Sequence, residues 1–300
     1  MPVVPAAEVS PTAAGVRALV SAQAAHLLPG RERIAREATG WDCEMWRLGD
    51  DLAVRLPRRA AAAPLIRHEQ AALPQIAARL STVGVGVPVP LVAGQPDDSF
   101  PWPWSVVPWF AGVAADRVPR ARRTAWAGTL GAALRAIHTP APRMHPRNAF
   151  RGGLLVDRDE AVRARIRAAP PDAAAPAAAR WDAALAAEPW PGPPVWIQGD
   201  LHPGNLVVAG TRLAAIIDFG DVTAGDPAYD LAIGWLAFDR AGRERFVAAT
   251  DDAYDAATWT RAAGWAASMA LLLLSHADEH PSFATAGAEA LVELADDAGC

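Results

Sequence analysis

The chain has 300 residues, 33 acidic against 28 basic side chains and a net charge of −5 at neutral pH, and a chain this long hides about three quarters of its unfolded surface, enough for one large domain or two lobes. Its two cysteines, Cys43 and Cys300, are too few for a disulfide framework, no charged-then-apolar leader opens it, and its longest apolar run, 266–274, falls short of the ~18 residues of a membrane span. A stapled secreted fold and a membrane protein are therefore not expected, a reducing cytoplasm is the expected compartment, and no basic run with interleaved aromatics points to nucleic acid.

The charge is uneven. Residues 221–300 hold fourteen acidic and four basic side chains, a balance of −10, which leaves +5 on the first 220. A basic half facing an anionic cofactor and an acidic half facing a cationic acceptor would produce this asymmetry. There is no lysine, and every basic residue is Arg, so any cation that meets phosphate must be a guanidinium or a histidine.

Along the chain, Ser10-Pro11 reads as a helix start with Ser at the cap, and Val16, Leu19, Val20 and Leu27 or Leu28 follow at helical spacing before Pro29-Gly30. Residues 37–46 and Leu52-Ala53-Val54-Arg55-Leu56 form a strand-turn-strand around Gly49-Asp50-Asp51, with Gly40-Trp41-Asp42-Cys43 as a loop within the first segment. Pro64 opens a helix that carries Glu69 and that Pro74 should interrupt. Residues 83–92 are extended, Trp104-Ser105-Val106-Val107 is a strand, and Pro108-Trp109-Phe110-Ala111-Gly112 is a linker. Trp126, Leu130, Leu134 and Ile137 place a helix over 122–138, closed by His138 as a structural histidine; 139–157 is a connection rich in Pro, Arg and Gly. An Ala-rich helix over 173–187 presents Trp181 and Leu185 on one face. Beyond it, Asp226-Pro227 starts a helix that buries Leu231, Ile233, Trp235 and Leu236, and further helices fall near 241–256, 258–276 and 283–297, with 266–274 inside a core helix.

The densest chemistry lies between these helices. Val195-Trp196-Ile197 is a short buried strand, after which Gly199, Pro203 and Gly204 force a tight loop carrying Gln198, Asp200, His202 and Asn205. Leu206-Val207-Val208 and 213–217 then make a hairpin that turns at Ala209-Gly210-Thr211-Arg212 and ends on Asp218-Phe219-Gly220. The hairpin returns the chain to its start, so Asp218 should meet Asn205, and two hard oxygen donors on neighbouring strand ends suit Mg²⁺. Asp200 lies outside that pair, free to accept a hydroxyl proton. A loop carboxylate, an Asn five positions on and an Asp thirteen beyond are the groups that orient a hydroxyl and hold magnesium against a nucleoside triphosphate.

With Asp218-Phe219-Gly220-Asp221 and Gly225-Asp226-Pro227-Ala228-Tyr229-Asp230-Leu231, the segment 198–231 resembles the aminoglycoside phosphotransferase-like kinases, relatives of protein kinases that phosphorylate small molecules. Protein kinases have Arg before the catalytic Asp and a later A-P-E element; this chain has Gly199 and no such tripeptide, and it carries Gln198 where many members of the family have His. The resemblance implies an α+β, bilobal protein-kinase-like fold: an N-terminal nucleotide-binding lobe with an antiparallel sheet over 1–107, a hinge over 108–112, and a larger, mainly helical lobe with catalytic loop and acceptor site over 113–300. It further implies that the Gly40 loop covers the phosphates, that Arg55 grips them in the place of the usual strand Lys and is held by Glu69, and that the backbone from Val107 to Trp109 meets the purine edge. Asp200 is then the catalytic carboxylate, and Asn205 and Asp218 hold Mg²⁺. His202 stands where many kinases carry a loop Lys and either donates to the transferred phosphoryl group or steadies the turn. Asp226 is expected as a helix cap and Asp230 as a buried partner of the loop. ATP or GTP is the implied co-substrate. The implied acceptor is a hydroxylated, antibiotic-like molecule, an aminoglycoside first because of the acidic C-terminal region; a macrolide or other metabolite alcohol, or a nucleotide-binding protein without transferase activity, are the alternatives.

Overall fold

Helix α1 (Ala13–Ala24) is started by Thr12, whose hydroxyl accepts the Gly15 N–H at 3.1 Å. The cap therefore sits two residues beyond the expected Ser10, and Pro11 precedes the helix instead of opening it. The computed structural model describes residues 5–148, 150–276 and 281–296, without the side chains of 281 and 282, and Cys300 lies outside them. The segment 37–46, read as one strand with a loop in it, is two: β1 (Ile34–Thr39) and β2 (Cys43–Leu48). Between them the Gly40 N–H donates to the Cys43 carbonyl at 2.8 Å and closes a hairpin.

Across the turn at Gly49, β3 (Leu52–Pro57) returns, and α2 (Ala63–Leu80) follows. Pro64 does stand at the start of α2, but Pro74 does not interrupt it. A proline inside a helix costs about 3 kcal/mol. Burial of Leu73, Ile76 and Leu80, all fully inaccessible, returns about 1.5–3 kcal/mol each and outweighs that cost. Strands β4 (Val92–Gly94) and β5 (Trp104–Pro108) complete a five-stranded antiparallel sheet in the order β1-β2-β3-β5-β4. The two-residue period sends Trp46, Leu48, Val54, Leu56, Trp104 and Val106 to one face, where they pack on Val16, Leu19 and Val20 of α1. Met45, Arg55 and Ser105, aligned by the strand register, take the opposite face. That parity aims Arg55 at α2 and the cleft.

The second core is larger. It is built by β6 (Val113–Ala114), α3 (Thr124–Ile137), α4 (Asp159–Ala168), α5 (Pro171–Ala186), β7 (Val195–Ile197), β8 (Leu206–Ala209), β9 (Arg212–Ile216) and β10 (Thr223–Gly225). The helices α6 (Ala228–Leu231), α7 (Ile233–Ala237), α8 (Arg240–Ala248), α9 (Ala256–Ser275) and α10 (Pro281–Asp296) close it. Helix α4 has no counterpart in the sequence reading, because Val162 is its one buried residue and its apolar signal is correspondingly faint. The helix expected over 241–256 stops at Ala248; Asp251 and Asp252 turn the chain with φ of 57° and 56°. Helix α9 carries the apolar run in the core, and no helix among the described residues is long and apolar enough to cross a membrane.

Two small pairings position the chemistry. Strand β7 pairs antiparallel with β10, Ile197 opposite Thr223, while β8 pairs with β9 and β6. The loops that leave β7 and β9 therefore lie side by side. The Gly86 N–H donates to the Ala214 carbonyl at 2.9 Å, and the Ile216 N–H to the Gly86 carbonyl at 3.0 Å, tying the segment after α2 to β9.

Candidate active site

The catalytic-type loop hangs on two buried side chains. Asp230, wholly inaccessible, accepts the backbone N–H of Gln198 at 2.7 Å and of Gly199 at 3.1 Å, and its carboxylate also meets His138 Nε2 at 3.2 Å. The other His138 nitrogen meets the Tyr254 hydroxyl at 2.7 Å, a structural role as expected. Gln198 is equally buried and is fully used: its amide nitrogen donates to the carbonyls of Ile217 (3.1 Å) and Asp218 (2.6 Å), and its amide oxygen accepts the Asp200 N–H at 2.7 Å. One side chain thus joins the backbone of Asp200 to that of Asp218. Gly199 is obligatory between them, since its φ is +87° and a Cβ there would stand 2.4 Å from the Asp221 carbonyl oxygen.

Asn205 Nδ2 donates to the Asp200 carbonyl at 2.9 Å, and its own carbonyl accepts the Ile217 N–H at 2.9 Å. The hairpin therefore places Asn205 beside Ile217, with Asp218 next in the chain. Asp218 has a φ of +57°, an uncommon conformation for a residue with a side chain, at the turn out of β9. Its Oδ1 lies 2.7 Å from Arg55 Nη2, and Arg55 Nε lies 2.9 Å from the buried Glu69. Burial works against the Asp218 carboxylate, but Arg55 holds it below the usual carboxylate range. Glu69, enclosed behind Arg55, is pushed up by burial to about 7 against the pull of that guanidinium.

Asp200 meets an arginine as well. Arg151, from the 139–157 connection, lies 2.9 Å from Asp200 Oδ1 and 2.9 Å from Asp221 Oδ2, and donates to the Tyr229 hydroxyl at 3.2 Å. Asn148 Nδ2 holds the other Asp221 oxygen at 2.7 Å. Burial raises the Asp200 carboxyl above its ordinary value, opposed by His202 and Arg151. His202 Nδ1 accepts the Gly204 N–H at 3.1 Å, which leaves the proton of the neutral ring on Nε2, 3.9 Å from Asp200 Oδ2.

A cleft of about 650 Å³ receives Gly40, Arg55, Val107, Trp109, Asp200 and Asp218. Glu69 stands behind Arg55, while His202 lines a neighbouring cavity of about 370 Å³. Two backbone N–H groups near the expected nucleotide site are spent within the protein. The Gly40 N–H closes its own hairpin, and the Trp109 N–H donates to the Asp51 carbonyl at 2.8 Å. Pro108, the last residue of β5, has no N–H to offer. The Trp109 ring stacks on the Arg47 guanidinium, 4.4 Å from centroid to Cζ.

The acidic excess of 221–300 does not gather around the cleft. Asp226 pairs with Arg261 and accepts the Ala228 N–H, Glu293 pairs with Arg243, Asp251 with Arg135, and Asp239 and Asp255 cap α8 and α9. Arg151 and its hold on Asp200 were not foreseen from the sequence; the 139–157 connection has no periodicity to place it. Asn205 Oδ1 and the Asp218 carboxylate oxygen not at Arg55 are the groups that could hold a magnesium ion, although Asn205 is not among the residues lining the cleft. Among the described residues no three His, Cys, Asp or Glu form a metal cluster, and magnesium on phosphate needs only one or two protein groups.

A cleft between an antiparallel sheet and a helical body, with a loop carboxylate and a second carboxylate held by an Arg–Glu pair, defines a kinase acting on hydroxyl groups in a bilobal protein-kinase-like fold. The chain belongs to the phosphotransferase enzyme family, whose model matches residues 34–265. Among solved structures it is similar to the GDP and kanamycin complex of APH(2")-IIia, at 16% identity and a TM-score of 0.64 over 94% of this chain and 98% of that one. It is similar also to macrolide 2'-phosphotransferase MphH from Brachybacterium faecium, at 22% identity and a TM-score of 0.59 over 91% and 97%. The streptomycin–ATP–APH(2")-IIa ternary complex matches at 11% identity and a TM-score of 0.55 over 95% and 97%. No curated protein matches the chain.

Proposed function

We propose that the protein moves the γ-phosphate of a nucleoside triphosphate onto a hydroxyl of a small organic molecule. The observation that carries this reading is the convergence of Asp200, Asp218 and Arg55 on one cleft, although Arg55 and Asp218 stand 163 positions apart. Residues 1–107 serve as the nucleotide lobe, 108–112 as the hinge that meets the purine, and 113–300 as the lobe that brings the acceptor. Arg55, steadied by Glu69, contacts the phosphates. Asp200 orients the acceptor hydroxyl and receives its proton as the new O–P bond forms and the bond from the γ-phosphorus to the β-γ bridging oxygen breaks, releasing the nucleoside diphosphate. Asn205 and Asp218 would hold magnesium, which neutralises charge on the β- and γ-phosphate oxygens. His202, with its proton on Nε2, stands beside Asp200 and can donate to the transferred group. ATP and GTP both suit this reading, since the similar solved structures hold GDP or ATP.

Aminoglycoside and macrolide phosphotransferases are both among the structural neighbours, so both acceptor classes are candidates. The charge count alone favours an aminoglycoside. The pairing of Asp200 and Asp221 with Arg151 favours an acceptor of lower positive charge. Asp200→Asn should lower nucleoside diphosphate release on a panel of aminoglycosides, macrolides and sugars by ~10³-fold while triphosphate binding persists. Undiminished turnover in that variant would overturn the assignment.

A further inference from the structure

We infer that Arg151 is a specificity-determining residue that turns away cationic acceptors, and that the compound phosphorylated here carries no ammonium group beside its reacting hydroxyl. The inference rests on the reading of Asp200 as the carboxylate that receives the hydroxyl proton. An ammonium next to that hydroxyl would need a carboxylate close to Asp200 as its counter-ion, because a desolvated cation is costly without one. Asp200 and Asp221 share the Arg151 guanidinium, 2.9 Å from each, and of the other acids that line the cleft Asp218 is paired with Arg55 and Asp42 with Arg59, while Glu37 lies out on β1. It is fixed further by Tyr229, and Asp221 is fixed by Asn148, so the cation is built into the wall of the cleft. An incoming ammonium would meet a like charge at the position where it seeks an opposite one, which is how sites discriminate by repulsion.

The surroundings beyond His202 repeat the pattern. The cavity of about 370 Å³ there is lined by Arg117, Arg120 and Arg123 against Asp116 and Glu289. Arg120 pairs with Glu289 at 2.9 Å. Arg123, buried, donates to the carbonyls of Val118 (2.8 Å) and Ala237 (3.1 Å) and feels Glu289 and Asp116 without pairing directly with either. Arg117 lines both this cavity and the main cleft. A polycation would therefore find guanidinium groups on both sides of Asp200.

Titration calorimetry of the full chain with kanamycin, a polycationic probe, tests this on wild type, Arg151→Gln and Arg151→Lys. Wild type should bind in the millimolar range or more weakly, Arg151→Gln at least tenfold more tightly, and Arg151→Lys like wild type, since it keeps the charge and loses only the fork geometry. Micromolar binding by wild type, equal shifts in the Gln and Lys variants, or no gain in the Gln variant would each overturn the inference; equal shifts would mark Arg151 as a purely structural clamp. Should Arg151→Gln fail to fold, wild type alone decides: N-acetylated kanamycin should bind more tightly than kanamycin, and the reverse order refutes the proposal. These arms read binding and need no turnover. Failure of phosphotransfer itself shows separately, as nucleotide turnover that Asp200→Asn leaves unchanged.

Discussion

Replacing Gln198 by Leu removes the link between the two acidic ends of the site while keeping the side chain's bulk. Three hydrogen bonds are lost, and the Asp200 N–H and the carbonyls of Ile217 and Asp218 are left without their partner. A buried polar group deprived of its partner costs about 1–3 kcal/mol. Asp200 and Asp218 border the cleft, where water can reach two of the three groups. One full and two partial penalties give about 3 kcal/mol, a large part of the ~5–15 kcal/mol that holds a domain together. Gln198→His keeps one donor and one acceptor, so about 1 kcal/mol is expected. Urea denaturation of the three proteins, with midpoint and slope fitted together, measures both values, and nucleotide affinity should weaken in the same order. If the Leu variant unfolds within about 0.5 kcal/mol of wild type and binds nucleotide as well, the side chain is not what aligns the two loops.

Burial lifts the Cys43 thiol from 9.0 to about 12, so in the folded protein at pH 8.5 its alkylation should be ~10³-fold slower than after unfolding; peptide mapping that finds Cys43 labelled at equal rates in both states refutes this. The same shift has a sign for stability. The native state keeps the thiol proton where the unfolded chain has lost it, so stability is present below pH 9 and falls by about 1.4 kcal/mol per pH unit above it, a slope that Cys43→Ala should abolish in urea titrations at pH 8 and pH 10. Gly199→Ala combines a left-handed backbone with a clash against Asp221 and should cost about 2–4 kcal/mol; an unchanged melting temperature would show that the loop can yield.

What was legible in the sequence was local. The strand, tight loop and hairpin from Val195 to Asp218 are short-range features, and their turn residues announce them. Asp230 and His138 could be assigned supporting roles because a buried acid after the loop and a helix-closing histidine are common structural parts. The cap of α1 was misplaced because Ser10 and Thr12 are both good caps and only packing chooses between them. Pro74 misled because helix propensity carries no knowledge of the core behind α2. The resemblance puts the backbone from Val107 to Trp109 at the purine edge, but the direction of the Trp109 amide follows from the pairing of β5 with β3, which register decides and sequence spacing does not. Arg151 was invisible for another reason: its partners lie 49 and 70 positions away. Counting acids in the C-terminal third likewise ignored that most of them already have arginine or helix-end partners.

Two carboxylates flanking the cleft are each matched with a guanidinium that a second acid also holds, Asp218 with Arg55 and Glu69, Asp200 with Arg151 and Asp221. A polyanionic nucleotide would thus approach carboxylates whose charge a shared guanidinium reduces without cancelling it, and like-charge repulsion at the mouth would be weakened. Under the proposed function, Arg55 would pass its grip from Asp218 to the phosphates while Glu69 still holds it, and loading the site would be an exchange of partners at one cation.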